Sequence, residues 1–190
     1  MAAVRVHDTG TPSWRRVRRF AAAAALLGGA LRVGTSFLTW DSGVGWLEAL
    51  ALVTDVGLLF GLMGVFLDTH EQIGVWGLLT FAAAEAGIAS IIGPDTVAFG
   101  IDTYQVGVVV ISVALFLFSL ELRRRRAGPP LATGLWMAST VTAVAAGAAG
   151  RREFGFVVGG FLFGLGFIAT GLAMWKSSGH VPARSPHAVA

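Results

Sequence analysis

Arg32, Asp55 and Glu85 are ionisable side chains set deep in apolar surroundings, one in each of the first three apolar runs of the chain. A guanidinium and carboxylates at one depth can do two kinds of chemistry. A planar arginine fork that donates to one carboxylate fixes two helices in register. A second carboxylate without a counter-charge can act as a protonated donor or pass a proton on. Counted inward from Trp40, Trp46 and Gly93, each residue lies roughly 12–14 Å inside its run, so the three are expected in one layer.

Within that layer Arg32 and Asp55 form the expected pair, because their runs are joined by a short loop and must lie antiparallel. Glu85 is then the member without an assigned partner. Glu48, one heptad before Asp55 on the same face, continues the acidic line toward the nearer surface.

A polar lining is expected around these charges. Gln105, Ser112 and Ser119 share one face of a run, as do Thr133, Thr140 and Gly147, while Gly28, Arg32, Ser36 and Thr39 share another. The simplest arrangement is a polar, small-residue interior, lined by Ser36, Gln105, Ser112 and Thr140 and enclosed by Leu, Val and Phe. Its plainest use is a satisfied network that specifies register, since buried ion pairs often add little net stability. A proton or ion path and a small-ligand site are the other uses of the same residues.

Other chemistries find no support in the residue types. The chain has no cysteine, which excludes disulfides, thiolate metal sites and cysteine nucleophiles. His7, His70, His180 and His187 never fall at helical ligand spacing, and Asp41, Glu48, Asp95 and Asp102 are scattered carboxylates that read as solvated. No GxSxG, Walker or dinucleotide-binding pattern occurs. A non-enzymatic protein without cofactor or metal is expected.

The elements that must position these residues follow from composition. Of 190 residues, 55% are apolar and 13% charged, and the mean hydropathy is +0.72. Soluble domains carry about 25% charged residues, so the principal solvent is lipid. The predicted fold is all-α, a polytopic membrane helical bundle with six transmembrane helices. The spans are Phe20–Trp40, Trp46–Leu67, Ile73–Ile92, Val106–Leu122, Leu131–Ala149 and Phe154–Trp175.

Residues 1–19 are expected to be a basic cytoplasmic tail, 20–176 the bundle, and 177–190 a disordered cytoplasmic tail. A rival reading makes Arg15–Arg19 and Phe20–Leu31 a cleaved signal peptide. The apolar pattern resumes through Val33, Phe37 and Leu38, which favours a retained helix. The segment 95–105, longest of the connections, is expected to be an ordinary loop, with a dip into the interface as the alternative.

Basic residues cluster at Arg15–Arg19 and Arg123–Arg126, each beside an apolar run, which points to anionic lipid headgroups rather than nucleic acid. With both termini cytoplasmic, that side collects nearly all the Lys and Arg and the opposite side only Arg151 and Arg152. A multi-pass protein of the cytoplasmic (inner) membrane is expected. Small-xxx-small spacings at Gly57/Gly61, Gly155/Gly159, Gly160/Gly164, Ala25/Gly29 and Ala30/Gly34 mark helix contact faces. Their expected use is intramolecular, with a homo-oligomer as the alternative. An inverted repeat of the transporter type is not supported by the runs.

Overall fold

A chain surrounded by lipid must satisfy its backbone polar groups internally, and nearly every described segment does so as helix. The structure is a computed structural model describing residues 12–38, 44–92, 97–98 and 100–178. Among these residues six helices form: α1 Pro12–Thr35, α2 Gly45–Thr69, α3 Val75–Ile91, α4 Thr103–Arg125, α5 Pro130–Ala148 and α6 Arg152–Ser177. The four helices α2, α4, α5 and α6 are long and apolar enough to cross a bilayer.

The other two are shorter in their apolar parts. α1 ends at Thr35 rather than Trp40, so its apolar stretch from Phe20 rises only about 24 Å. α3 has 17 residues, about 26 Å, against a hydrocarbon core of about 30 Å. α1 also begins at Pro12, so Arg15–Arg19 ride on helical turns instead of preceding them.

The turns explain the boundaries. α4 stops where Arg126 turns left-handed at φ 55°, and Ala127 N–H closes onto Leu122 O at 2.8 Å. Pro130 then starts α5 with its φ already set for a helix. Between α5 and α6, Gly150 at φ +72° lets Arg151 N–H reach back to Ala146 O. The 95–105 connection contains an antiparallel pair, β1 Val97–Ala98 with β2 Ile101–Asp102. Asp102 caps α4 by accepting from Gln105 N–H at 3.0 Å, so α4 begins three residues earlier than the run of apolar residues.

Sequential helices are neighbours, and α6 returns to close the ring against α1. α1 is held between α2 and α6 by small residues. A Cβ at Gly28 would stand 2.7 Å from Leu58 N of α2, and one at Gly29 2.7 Å from Gly164 O of α6. Ala25 meets Gly61, and Gly171 meets Ala22 and Leu26. Gly155 and Gly159 meet Ala143 and Ala146 of α5. The expected glycine faces are thus occupied within one chain, except Ala30/Gly34, where Gly34 meets nothing.

Leu, Val and Phe do clothe the outside, and Thr54, Ser119, Thr133, Ser139 and Thr170 are buried, but the centre is not the expected polar one. Small residues lie between helices, while Leu62, Leu115, Phe118, Leu122, Trp136 and Phe167 fill the centre. Phe66 stacks on Phe81 at 4.2 Å, and Trp136 tilts against Phe167 at 5.1 Å. Apart from Ile88, the most deeply buried large side chains belong to the half of the bundle nearer Arg123–Arg126. Glu48, Asp55 and Glu85 are themselves only half-buried.

Candidate functional site

Each residue of the expected charged layer lies on a helix, and the neighbours of those helices decide what meets what. α1 touches α2 and α6 but not α3. Arg32 continues the stripe Arg18, Ala21, Ala25, Gly28 that meets α2, and its guanidinium swings over to α6. There a Cβ at Gly160 would lie 3.1 Å from Arg32 Nη2 and 2.7 Å from Ser36 Oγ. Ser36 Oγ donates to Arg32 O at 2.8 Å, closing the last turn of α1. Arg32 and Ser36 therefore share one seat, supplied by the bare backbone of Gly160.

Asp55 does not complete an ion pair with Arg32. Among the described residues the ion pairs are Arg18–Asp68 and Arg125–Glu121. Arg32 acts on Asp55 only as a charge at longer range. The reason is azimuth. The face of α2 that meets α1 runs through Thr54, Gly57, Gly61, Gly64 and Asp68, and Asp55 lies about 140° round the helix from its centre. Asp55 instead shares the face of Phe66, which stacks on α3. The Ala25–Gly61 register does bring Arg32 near the level of Asp55, but the stack of Phe66 on Phe81 leaves Glu85 about 10 Å from that level, so the three charges share neither a pair nor a layer.

Glu85 lies on the α3 face close to Phe81, about 40° away, and so borders the same α2–α3 seam as Asp55. Its Oε1 is buried and has no hydrogen-bond partner among the described residues. Glu48 is half-buried in the first turn of α2, where the helix dipole favours an anion. α2 and α3 touch less than any other sequential pair of helices. The four residues therefore divide into Arg32 on the α1–α6 side and three carboxylates on or near the α2–α3 face. They do not form one paired network.

The expected lining divides in the same way. Thr140 Oγ1 donates to Ser112 O at 3.0 Å and joins α5 to α4. Gln105 is exposed and serves through its backbone at the cap of α4, not in the interior. Ser119 is fully buried with an unpartnered Oγ, and Trp136 Nε1 is likewise unpartnered. Gly147 is exposed, whereas Thr133 is buried and accepts from Arg123 Nε at 3.1 Å. Thr39, Asp41 and Asp95 lie outside the described residues. No group of three or more His, Asp or Glu residues placed to hold a metal occurs among the described residues.

Sequence reasoning missed two ion pairs and one helix tie. Arg18 Nη2 and Nε both donate to Asp68 Oδ2, at 2.8 and 3.0 Å, and fasten the start of α1 to the end of α2. Arg125 pairs with Glu121 at 2.9 Å beside Gly74 of the α2–α3 turn. Ser139 Oγ donates to Gly159 O at 2.8 Å across α5 and α6. The signal for the first was present: small-on-small pairing of Ala25 with Gly61 sets an antiparallel register that carries Arg18 to Asp68.

Two clefts open at opposite rims. One of 450 Å³ lies at the α5–α6 turn, lined by residues 150–154. The other, of 310 Å³, lies at the arginine-rich end between α1, α2, α6 and the α4–α5 turn. Neither is lined by Arg32, Asp55 or Glu85. Comparison with protein-family models, with curated proteins and with solved structures finds no match for this chain.

Proposed function

We propose that the protein is a non-enzymatic, multi-pass bundle of the cytoplasmic membrane, in which all six helices are embedded and both termini are cytoplasmic. Its role is structural or that of an interaction platform. The observation that carries this reading is the filled centre, where Phe118, Leu122, Trp136 and Phe167 leave the buried half of the bundle packed with apolar side chains. The bilayer and anionic headgroups at Arg15–Arg19 and Arg123–Arg126 are its expected surroundings. Contact with a second copy would have to use faces other than the occupied glycine stripes.

The placement of charge and tryptophan supports the orientation. Trp76 and Trp175 are exposed at the arginine-rich end, and Trp46 is exposed at the other, the positions of an interfacial aromatic belt. Since the chain has no cysteine, single cysteines report sidedness cleanly. Gln72→Cys and Gly128→Cys should react with an impermeant maleimide only in inside-out vesicles, and Gly150→Cys only in right-side-out ones. Labelling of Gln72→Cys and Gly150→Cys from the same side would remove the proposed topology.

A second reading, proton-coupled transport of a small solute or ion, is favoured by the unpartnered Glu85 Oε1. Reconstituted liposomes separate the two. The first reading expects a proton leak equal to that of protein-free liposomes. A leak or pH-driven uptake that is lost in Glu85→Gln would establish the second.

A further inference from the structure

The cleft at the arginine-rich rim combines two features that neither the core nor the charged layer requires. Its floor is apolar or neutral, built from Val65 and Thr170 with Ala173 and Met174 of α6, while Arg18 and Gln72 stand on its wall. Asp68, the one acidic residue there, is already matched by Arg18 at 2.8 Å. Three basic segments converge on the same rim: Arg15–Arg19 on α1, Arg123–Arg126 at the end of α4, and Lys176 one residue before the lining residue Ser177.

The segments cannot all be neutralised by the protein. Arg123 donates to the neutral acceptors Thr133 Oγ1 and Pro130 O and keeps its charge, Arg125 is matched by Glu121, and Arg15, Arg19, Arg124 and Lys176 are exposed with no acidic residue in their own helical turns apart from Glu121. The exposed Trp175 sets the level of the rim at the interface between headgroups and chains. A free anion would satisfy the rim and leave the floor empty. An apolar molecule would fill the floor and ignore the rim.

We propose that this cleft is a binding site for one anionic glycerophospholipid, with its phosphate at the rim beside Arg18 and Lys176 and the upper part of one chain over Ala173 and Met174. The site rests on the membrane reading above and adds a specific lipid to it. Bound there, the lipid bridges the start of α1, the end of α2 and the end of α6, of which only α1 and α2 are joined at this rim by the Arg18–Asp68 pair. Asp68 and the phosphate then share Arg18, which has donors to offer to both.

The test is native mass spectrometry of the detergent-solubilised full chain with added phosphatidylglycerol or phosphatidylcholine. One phosphatidylglycerol should be retained at least tenfold more strongly than phosphatidylcholine. Ala173→Phe, which fills the floor and leaves every charge in place, should lower that retention at least tenfold. Ala173→Leu should give an intermediate loss, provided each variant keeps the wild-type melting temperature. Arg19→Gln with Lys176→Gln should weaken retention several-fold, and Arg151→Gln with Arg152→Gln at the opposite rim should leave it unchanged. Equal retention of the two lipids, or full retention by Ala173→Phe, overturns the site. Retention only by a chain ending at Ser178 would assign the cleft to residues 179–190 and also overturn it. Cysteine labelling decides the membrane topology independently, so correct sidedness with no lipid selectivity would refute this site alone.

Discussion

Arg32 of α1 and Gly160 of α6 are packed as guanidinium against bare backbone: a Cβ at position 160 would lie 3.1 Å from Arg32 Nη2. The relationship places a charged side chain at a helix contact face by removing the opposing side chain. It also gives the Gly160/Gly164 spacing two different uses, since Gly164 meets the backbone of Gly29 while Gly160 receives a side chain.

Enlarging position 160 should therefore act through Arg32 and through Ser36, whose Oγ lies 2.7 Å from that Cβ. Gly160→Val is expected to destabilise the bundle by about 1–3 kcal/mol through overpacking. Arg32→Ala in the same chain should recover part of that loss. Thermal melts of the single and double variants in detergent give the coupling, and strictly additive effects would dissociate the two residues.

At Gly28 there is no side chain to move aside. The atoms a Cβ would meet are backbone, Leu58 N at 2.7 Å and Gly57 C at 2.8 Å. Gly28→Ala should lower stability by about 2 kcal/mol or more, whereas Gly34→Ala, with nothing nearby, should be neutral or raise it by up to about 1 kcal/mol through helix propensity. Similar melting temperatures for the two variants would contradict the α1–α2 packing.

The Arg18–Asp68 pair is partly shielded, with side chains 26% and 17% exposed. Arg18→Gln and Asp68→Asn should each cost about 1 kcal/mol, and the double variant little more than either alone. A coupling near zero in a double-mutant cycle would show that the ends of α1 and α2 are held by packing instead.

Glu85 tests the structural reading directly. A carboxylate oxygen buried without a partner opposes folding, so Glu85→Leu should leave the folded yield unchanged or stabilise the chain by about 1–3 kcal/mol. A loss of folded protein in Glu85→Leu, recovered in Glu85→Gln, would mean that the carboxyl group has a hydrogen-bonding role in the bundle.

Much of the fold was legible because its signals are local. Pro129 and Pro130 after four arginines, the glycine at 150 and the apolar run lengths place both ends of five of the six helices, all but α1, within three residues. Relative depth was legible for Arg32 and Asp55, whose helices are joined by a short loop, but not for Glu85, because α3 is short and its register on α2 is set by Phe66 and Phe81. Which way a residue faces was not. Asp55 turns from α1 toward α3 because Gly57, Gly61 and Gly64 bring α1 against the far side of α2, a choice made between helices and not within one. The same limit hid the seat of Arg32, since Gly160 lies on the last helix of the chain and no spacing rule connects it to the first.

The crowding of Phe118, Leu122, Trp136, Thr133 and Thr170 toward the arginine-rich end makes the bundle a sheaf tied near one end. Its bound end is locked by large side chains, while its free end is held by small-residue contacts such as Gly155 on Ala146 and by the Ser139–Gly159 bond. Thermal opening then begins at the other end, where α3 finishes and α6 starts, and travels toward the tie as a fraying front. Hydrogen exchange would write this as a gradient along each helix, fast at Ala89 and Phe154 and slow at Phe118 and Phe167. Mechanical unfolding from the free end would meet its largest resistance only when it reached Trp136.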